Sequence, residues 1–412
     1  MSGELEKTDI RQSVLNIGTL GHIDHGKTSL TRAITHVWTD KHSESLKRNM
    51  TIKLGYADAI IRKCEKCDGP AAYTTEEKCK NCGSMAVPLM RVSLLDAPGH
   101  ETLMATAIAG SSIIDAILFV IAANESCPMQ QTREHLMIIN LLGIKNVIIV
   151  QSKVDVVGRE GAIKHYRQIK EFVKGSVIEN APVIPVMTNQ GVNVDVLLQM
   201  ITELPRPVRD VKSDPIMYVV RSFDINKPGS RLANFSGGVI GGSLKKGTLR
   251  LGDKIELRPG ADFREPESKK PLYKSVVTVI TGISNGSDMM EEARPGGLIG
   301  ISTEIDPAFV KSDSLVGNIV GYVGRLPETS TKLKISYHPL DRKDIPSQKL
   351  KENELLLMGI GTATVIGYAK IIKKDSVDIE LKNPVCAEKG ARMAVLRNIS
   401  QRWRLAGYGL IE

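Results

Sequence analysis

The chain has 412 residues, 42% apolar and 25% charged, ordinary globular usage that excludes disordered, collagenous and membrane-embedded classes. At roughly 150 residues per domain, this length holds two or three domains, each able to bury its own core. The net charge of +9 is uneven, with +1 on residues 1–208, +3 on 209–326 and +5 on 327–412, a basic second half that suits a polyanion such as RNA as well as an ordinary solvated face.

From the N-terminus, residues 13–20 read as a short buried strand and 27–37 as a helix. The turn between them, Gly21-His22-Ile23-Asp24-His25-Gly26-Lys27-Thr28, fits G-x-x-x-x-G-K-[ST] in the strand-to-helix setting that pattern requires. Its glycines let the backbone N–H groups of Asp24 to Ser29 curl around phosphates at the helix N-terminus. Lys27 adds a point charge there, and the Thr28 hydroxyl is available to Mg²⁺.

Next come Cys64-x2-Cys67 and Cys79-x2-Cys82, with Gly69 and Gly83 placed for tight turns. Two such hooks are spaced to close a tetrahedral, structural Zn²⁺ site in an insert spanning residues 62–85. Cys127 and Cys386 lie apart and read as ordinary buried or half-buried thiols. The apolar run 91–95 places Asp96 at a strand end, where it can hold a magnesium-bound water. Gly99, in Asp96-Ala97-Pro98-Gly99-His100, can bring a backbone N–H to a γ-phosphate.

Apolar runs at 113–123, 146–151 and 182–187 alternate with helical candidates at 101–110, 130–142, 161–172 and 194–204, the pattern of a doubly wound α/β domain. The run 113–123 is interrupted by Asp115 and falls short of the about 20 apolar residues a bilayer span needs. With no secretory signal at residues 1–7, a cytosolic protein is expected. After the run 148–151, Ser152-Lys153-Val154-Asp155 puts a carboxylate where it could accept the N1 and N2 protons of guanine, with the Lys153 stem over the base. Adenine has no such donor pair.

Leu204-Pro205-Arg206-Pro207 marks a stiff joint. Beyond it, β-branched segments at 216–222, 237–242 and 276–282 are separated by Gly and Pro turns, as in a β-barrel. A second seam is expected near Gly324-Arg325-Leu326-Pro327, followed by strands at 332–337, 355–361, 363–373, 376–381 and 393–399. Aromatic residues make up only 4% of the chain, so a nucleic acid would be held through Lys and Arg on its backbone rather than by base stacking.

In these motifs, in Lys47-Arg48-Asn49-Met50-Thr51-Ile52-Lys53, in Gln131-Thr132-Arg133-Glu134-His135 and in Arg402-Trp403-Arg404-Leu405-Ala406-Gly407-Tyr408-Gly409, the chain resembles the translational GTPases over nearly its whole length. Within them it is most similar to the gamma subunits of archaeal and eukaryotic translation initiation factor two.

The resemblance implies an α/β P-loop GTPase domain with a zinc-knuckle insert at residues 1–208, followed by two antiparallel β-barrel domains at 209–326 and 327–412. It also implies the reaction GTP + H₂O → GDP + phosphate. The use would be GTP-dependent delivery of methionylated initiator tRNA to the small ribosomal subunit, by a heterotrimer with alpha and beta subunits. Thr51 is similar to the switch-one threonine that reaches magnesium, and His100 to the switch-two histidine that positions the attacking water. Asp24 with the Asn49 carbonyl could hold a second magnesium.

Ser152 stands where the family has Asn, so a contact between base and phosphate loop is expected to be lost or shortened. Asn49 stands where Gly is usual. Met187-Thr188-Asn189 replaces the usual Ser-Ala-Leu-like start of the last guanine loop, whose contact is through backbone N–H. The alternatives are the large subunit of a sulfate adenylyltransferase, which shares this plan, and an elongation or selenocysteine-specific factor.

Overall fold

The computed structural model describes residues 10–39, 55–96, 113–226, 236–263, 272–286, 288–340, 349–373 and 376–412. The chain divides into two compact units, with a break between Val208 and Arg209.

The first unit is a seven-stranded mixed sheet with helices. Its strands are β1 (Leu15–Leu20), β2 (Gly55–Lys63), β3 (Tyr73–Thr74), β4 (Val87–Asp96), β5 (Ala116–Ala122), β6 (Val147–Ser152) and β7 (Val183–Pro185), in the order β3-β2-β4-β1-β5-β6-β7. From β4 to β7 every neighbouring pair is parallel. All residues of β1, β5 and β6 are buried, as a sheet covered on both faces demands.

The helices are α1 (Lys27–Thr35), α2 (Gln130–Leu142), α3 (Val154–Val173) and α4 (Val194–Thr202). Leu30 and Ile34 of α1, one turn apart, pack with Leu197, Leu198 and Ile201 of α4 on Ile17, Val92, Leu118 and Val150 of the sheet. Gly143, at φ 67°, closes α2 with its N–H on the Ile139 and Asn140 carbonyls. Two expectations shift: α1 stops at Thr35, and α3 begins at Val154 with Gly158 (φ 66°) interrupting its first turns. The segment 101–110 lies outside the described residues.

The antiparallel strands β2 and β3 went unanticipated. Gly55–Lys63 alternates buried Ala57, Ala59 and Ile61 with the less buried Tyr56, Asp58, Ile60 and Arg62, the period of a strand with one more open face. It carries the cysteine insert between itself and β4.

The second unit holds two closed, six-stranded antiparallel barrels. The first comprises β8 (Ile216–Phe223), β9 (Val239–Lys246), β11 (Lys254–Asp262), β12 (Tyr273–Ser284), β15 (Ile299–Thr303) and β16 (Ile319–Tyr322), in the order β11-β16-β8-β9-β15-β12 and back to β11. Short strands β10 (Leu249–Arg250), β13 (Met289–Met290) and β14 (Glu292–Ala293) border it. The second comprises β17 (Thr329–Pro339), β18 (Leu355–Ile360), β19 (Ala363–Ile372), β20 (Val377–Cys386), β21 (Arg392–Ile399) and β22 (Arg402–Ile411), closed in the order β17-β20-β19-β18-β21-β22.

Each barrel has its own apolar interior, Met217, Ile240, Leu257, Ile280 and Ile301 in one, Ile335, Met358, Ile379 and Val395 in the other. The strand β11 was hidden by Pro259 and Gly260. A bulge sits there, and a side chain on Gly260 would lie 1.7 Å from the Lys274 carbonyl oxygen. Among the described residues no helix is long and apolar enough to cross a membrane.

Candidate nucleotide site and cysteine knuckle

The loop from Gly21 to Gly26 joins the C-terminal end of β1 to α1. At Gly21 (φ 148°) a Cβ would lie 2.2 Å from the Val120 carbonyl oxygen of β5, so only glycine lets the loop leave the sheet so closely. Asp24 and Gly26 both take left-handed φ, 60° and 88°. Gly26 caps α1 with no side-chain hydrogen bond, and no acidic residue stands in the first turn. The N–H groups of that turn are therefore not claimed by a side-chain cap and, with the helix dipole, face where phosphates would sit.

Lys27 is buried, and its Nζ donates to the Gly21 and His22 carbonyl oxygens at 3.0 and 2.8 Å. Burial brings its pKa down to about 8, against the pull of Asp96 and Asp24. Its ammonium is thus folded back over the loop.

Asp96, fully buried at the end of β4, is the hub of the magnesium candidates. Its Oδ2 accepts from Thr28 Oγ1 at 2.7 Å and from Thr39 Oγ1 at 3.0 Å, and its Oδ1 accepts from Thr19 Oγ1 at 3.0 Å. A hydroxyl and a carboxylate in contact at a phosphate loop are hard oxygen donors, the set Mg²⁺ prefers. Thr19 and Thr39 were not singled out from sequence. Thr19 is the register partner of Asp96 across the parallel β1–β4 pair, a signal that strand pairing would have provided. Thr39, past the end of α1, left no such signal.

The candidate base end lies at the next strand ends. Lys153, half-buried at φ 54°, precedes α3, and Asp155 stands exposed in its first turn. Ser152 Oγ donates to the His25 carbonyl oxygen at 2.6 Å, so the tether between this motif and the phosphate loop is kept by a hydroxyl, shortened rather than lost. Met187 and Val192 exchange main-chain hydrogen bonds at 3.2 Å and close a small hairpin over Thr188 and Asn189. The Val186 N–H on the Gln151 carbonyl (2.9 Å) holds that hairpin beside β6. Ser29, Thr188 and Asn189 line a common cavity of about 500 Å³, together with Trp38 and with Glu76 and Lys80 of the cysteine insert. Asn49, Thr51, Gly99 and His100 lie outside the described residues.

The His25 imidazole is held on both nitrogens: Nδ1 is 3.1 Å from the Val120 carbonyl oxygen and Nε2 is 3.1 Å from Glu125 Oε2. Burial lowers its pKa, although the Glu125 and Val120 contacts oppose this.

In the insert, Cys64, Cys67, Cys79 and Cys82 bring their sulfurs within 4.8 Å of one another, with Cys64–Cys82 at 3.4 Å and Cys67–Cys79 at 3.8 Å. Sulfurs about 2.3 Å from a tetrahedral Zn²⁺ are about 3.8 Å apart, so the residues fit that ion. Gly69 and Gly83 take the left-handed turns expected after each hook, at φ 61° and 73°. Cys127 is half-buried and Cys386 buried, each far from this group in sequence. Replacing Cys64 and Cys79 together by Ser should remove about one tightly held zinc per chain on metal analysis, while leaving the affinity for fluorescent GDP within about threefold. Unchanged zinc content in that variant would contradict the assignment.

Comparison with known proteins agrees with this geometry. The elongation factor Tu GTP binding domain model matches residues 12–207, and the model named initiation factor eIF2 gamma, C terminal, matches residues 331–411. The chain is 50% identical over 406 residues to translation initiation factor 2 subunit gamma of Methanococcus maripaludis strain C7, covering 97% of this chain and 98% of that one. It is 48% identical over 413 residues to the Pyrococcus furiosus protein of the same name, covering 99% of each. Among solved structures, translation elongation factor SelB from Methanococcus maripaludis, in complex with the GTP analogue GppNHp, superposes with a TM-score of 0.72 at 22% identity. That match covers 97% of this chain and 79% of the other, a likeness of fold.

Proposed function

Because the chain belongs to the family of translation initiation factor 2 gamma subunits, translational GTPases that bind GTP and hydrolyse it to GDP and phosphate, we propose that it carries methionylated initiator tRNA to the small ribosomal subunit. In this reading it is the cytoplasmic core of a heterotrimer with alpha and beta subunits, and GTP hydrolysis releases the tRNA. The near-full-length identity of 50% to a named gamma subunit is the observation that carries the reading.

The phosphate loop supports it from below. The N–H groups from Asp24 to Ser29 cradle the β- and γ-phosphates, and Lys27 swings from the Gly21 and His22 carbonyls to meet their charge. Mg²⁺, when bound, would neutralise charge on the phosphates, held by Thr28 and Thr51 and, through water, by Asp96, with Asp24 and the Asn49 carbonyl available to a second ion. Lys153 and Asp155 clasp the guanine, with Ser152, Met187, Thr188 and Asn189 around it. Gly99 would offer its N–H to the γ-phosphate, Thr51 would reach Mg²⁺ in the GTP state, and His100 would orient the attacking water.

The net +8 of residues 209–412 favours attraction of the tRNA backbone. In filter binding with alpha and beta subunits supplied, the GTP-loaded complex should hold initiator methionyl-tRNA at least about tenfold more tightly than the GDP-loaded complex, and more tightly than it holds elongator methionyl-tRNA. Affinity should fall as salt rises. Salt dependence without nucleotide dependence would reduce the interaction to non-specific RNA attraction and overturn the carrier reading.

A further inference from the structure

Beside the phosphate loop, His22, His25 and Glu125 converge with one ligand atom of each within 4.8 Å of the others. Each imidazole is oriented by a main-chain carbonyl. His25 Nδ1 meets the Val120 oxygen at 3.1 Å, and His22 Nδ1 meets the Ile23 oxygen at 2.7 Å. A carbonyl can only accept, so both Nδ1 atoms carry the proton and both Nε2 atoms are left to present a lone pair. His25 Nε2 then meets Glu125 Oε2 at 3.1 Å, a contact that either a second imidazole proton or a bound cation would bridge.

Donors about 2.0–2.1 Å from a tetrahedral zinc stand about 3.4 Å apart, close to this separation. The two rings lie 5.1 Å apart between centroids and tilt by 41°, which sets His22 beside the pair. His25 is 1% exposed, whereas the Glu125 side chain is 28% exposed, which leaves a solvent side for entry and for a water as fourth ligand. Carbonyl-oriented imidazoles that offer Nε2, joined by one carboxylate, form the donor set of a three-ligand zinc centre.

We propose that His22, His25 and Glu125 form a second divalent transition-metal site, for Zn²⁺ or the similar Co²⁺, that pins the phosphate loop to the segment following β5. It is separate from the four-cysteine site and from the oxygen donors around Asp96. Imidazole nitrogen suits zinc and cobalt, and oxygen suits magnesium.

Equilibrium dialysis against Zn²⁺ tests it. Wild type should take up about two zinc ions per chain, and the Cys64→Ser, Cys79→Ser chain about one. Glu125→Gln should keep the cysteine-bound zinc, which reports an intact fold, and bind the other at least about tenfold more weakly. His22→Gln supplies the same reading should Glu125→Gln fail to fold. In the Cys64→Ser, Cys79→Ser chain, Co²⁺ bound at the second site should show visible absorption without a thiolate charge-transfer band. Uptake limited to the cysteine-bound zinc in wild type, or a second zinc that both variants retain at full affinity, would reduce the cluster to a proton-bridged His25–Glu125 pair.

Discussion

Asp155→Asn should cost the chain about 100- to 10,000-fold in GTP and GDP affinity and convert it to a xanthine nucleotide binder. Two hydrogen bonds from the guanine N1 and N2 protons to a carboxylate are each worth about 1.5–3 kcal/mol. An asparagine amide both removes that charge and turns an N–H donor toward donors. Xanthine carries a carbonyl at C2, which the new amide can satisfy. Asp155 is exposed in the first turn of α3, so the substitution should leave stability nearly unchanged. Equal binding of fluorescent GDP by mutant and wild type would remove Asp155 from the base site.

Lys27→Ala is the second large effect, a loss of about 100-fold or more in nucleotide affinity, since a buried charge paired with phosphate is removed. Wild type should also show the lysine in its pH dependence. The pKa lowered to about 8 means the nucleotide-free protein gives up this proton as pH rises through 8. Phosphate binds the protonated form and holds its proton more tightly, so binding takes up a proton above that point. GDP affinity should be flat below pH 8 and fall by up to about tenfold per pH unit above it. A flat profile to pH 9 would show that Lys27 keeps its charge unaided.

What the sequence made legible follows from how local each feature is. The Gly21–Thr28 loop, Asp96 and the Ser152–Asp155 turn were readable because a strand end, a glycine-permitted turn and a helix start are set by adjacent residues. The Cys64–Cys82 hooks were readable for the same reason. Thr19 and Thr39 on Asp96, 77 and 57 residues away, and Glu125 on His25, 100 residues away, needed the sheet order before they could be found. The barrels were legible as a class from β-branched segments and turns. Their closure was not, because β11 hides behind Pro259 and Gly260, and β22 reads as the family's Arg402-Trp403-Arg404 motif rather than as a strand. Of the departures from the family pattern, Ser152 replaces an amide by a hydroxyl that still reaches the His25 carbonyl.

The translational reading of this chain depends on a guanine nucleotide seated between the Gly21–Thr28 loop and Lys153–Asp155. The most direct measurement is displacement of fluorescent GDP from the wild-type protein, in Mg²⁺ at pH 7, by GTP, GDP and ATP. GTP and GDP should displace it, and ATP should need at least about 100-fold higher concentration, because adenine offers Asp155 no donor pair. Displacement by ATP as readily as by GTP would contradict the guanine site and the translational role built on it.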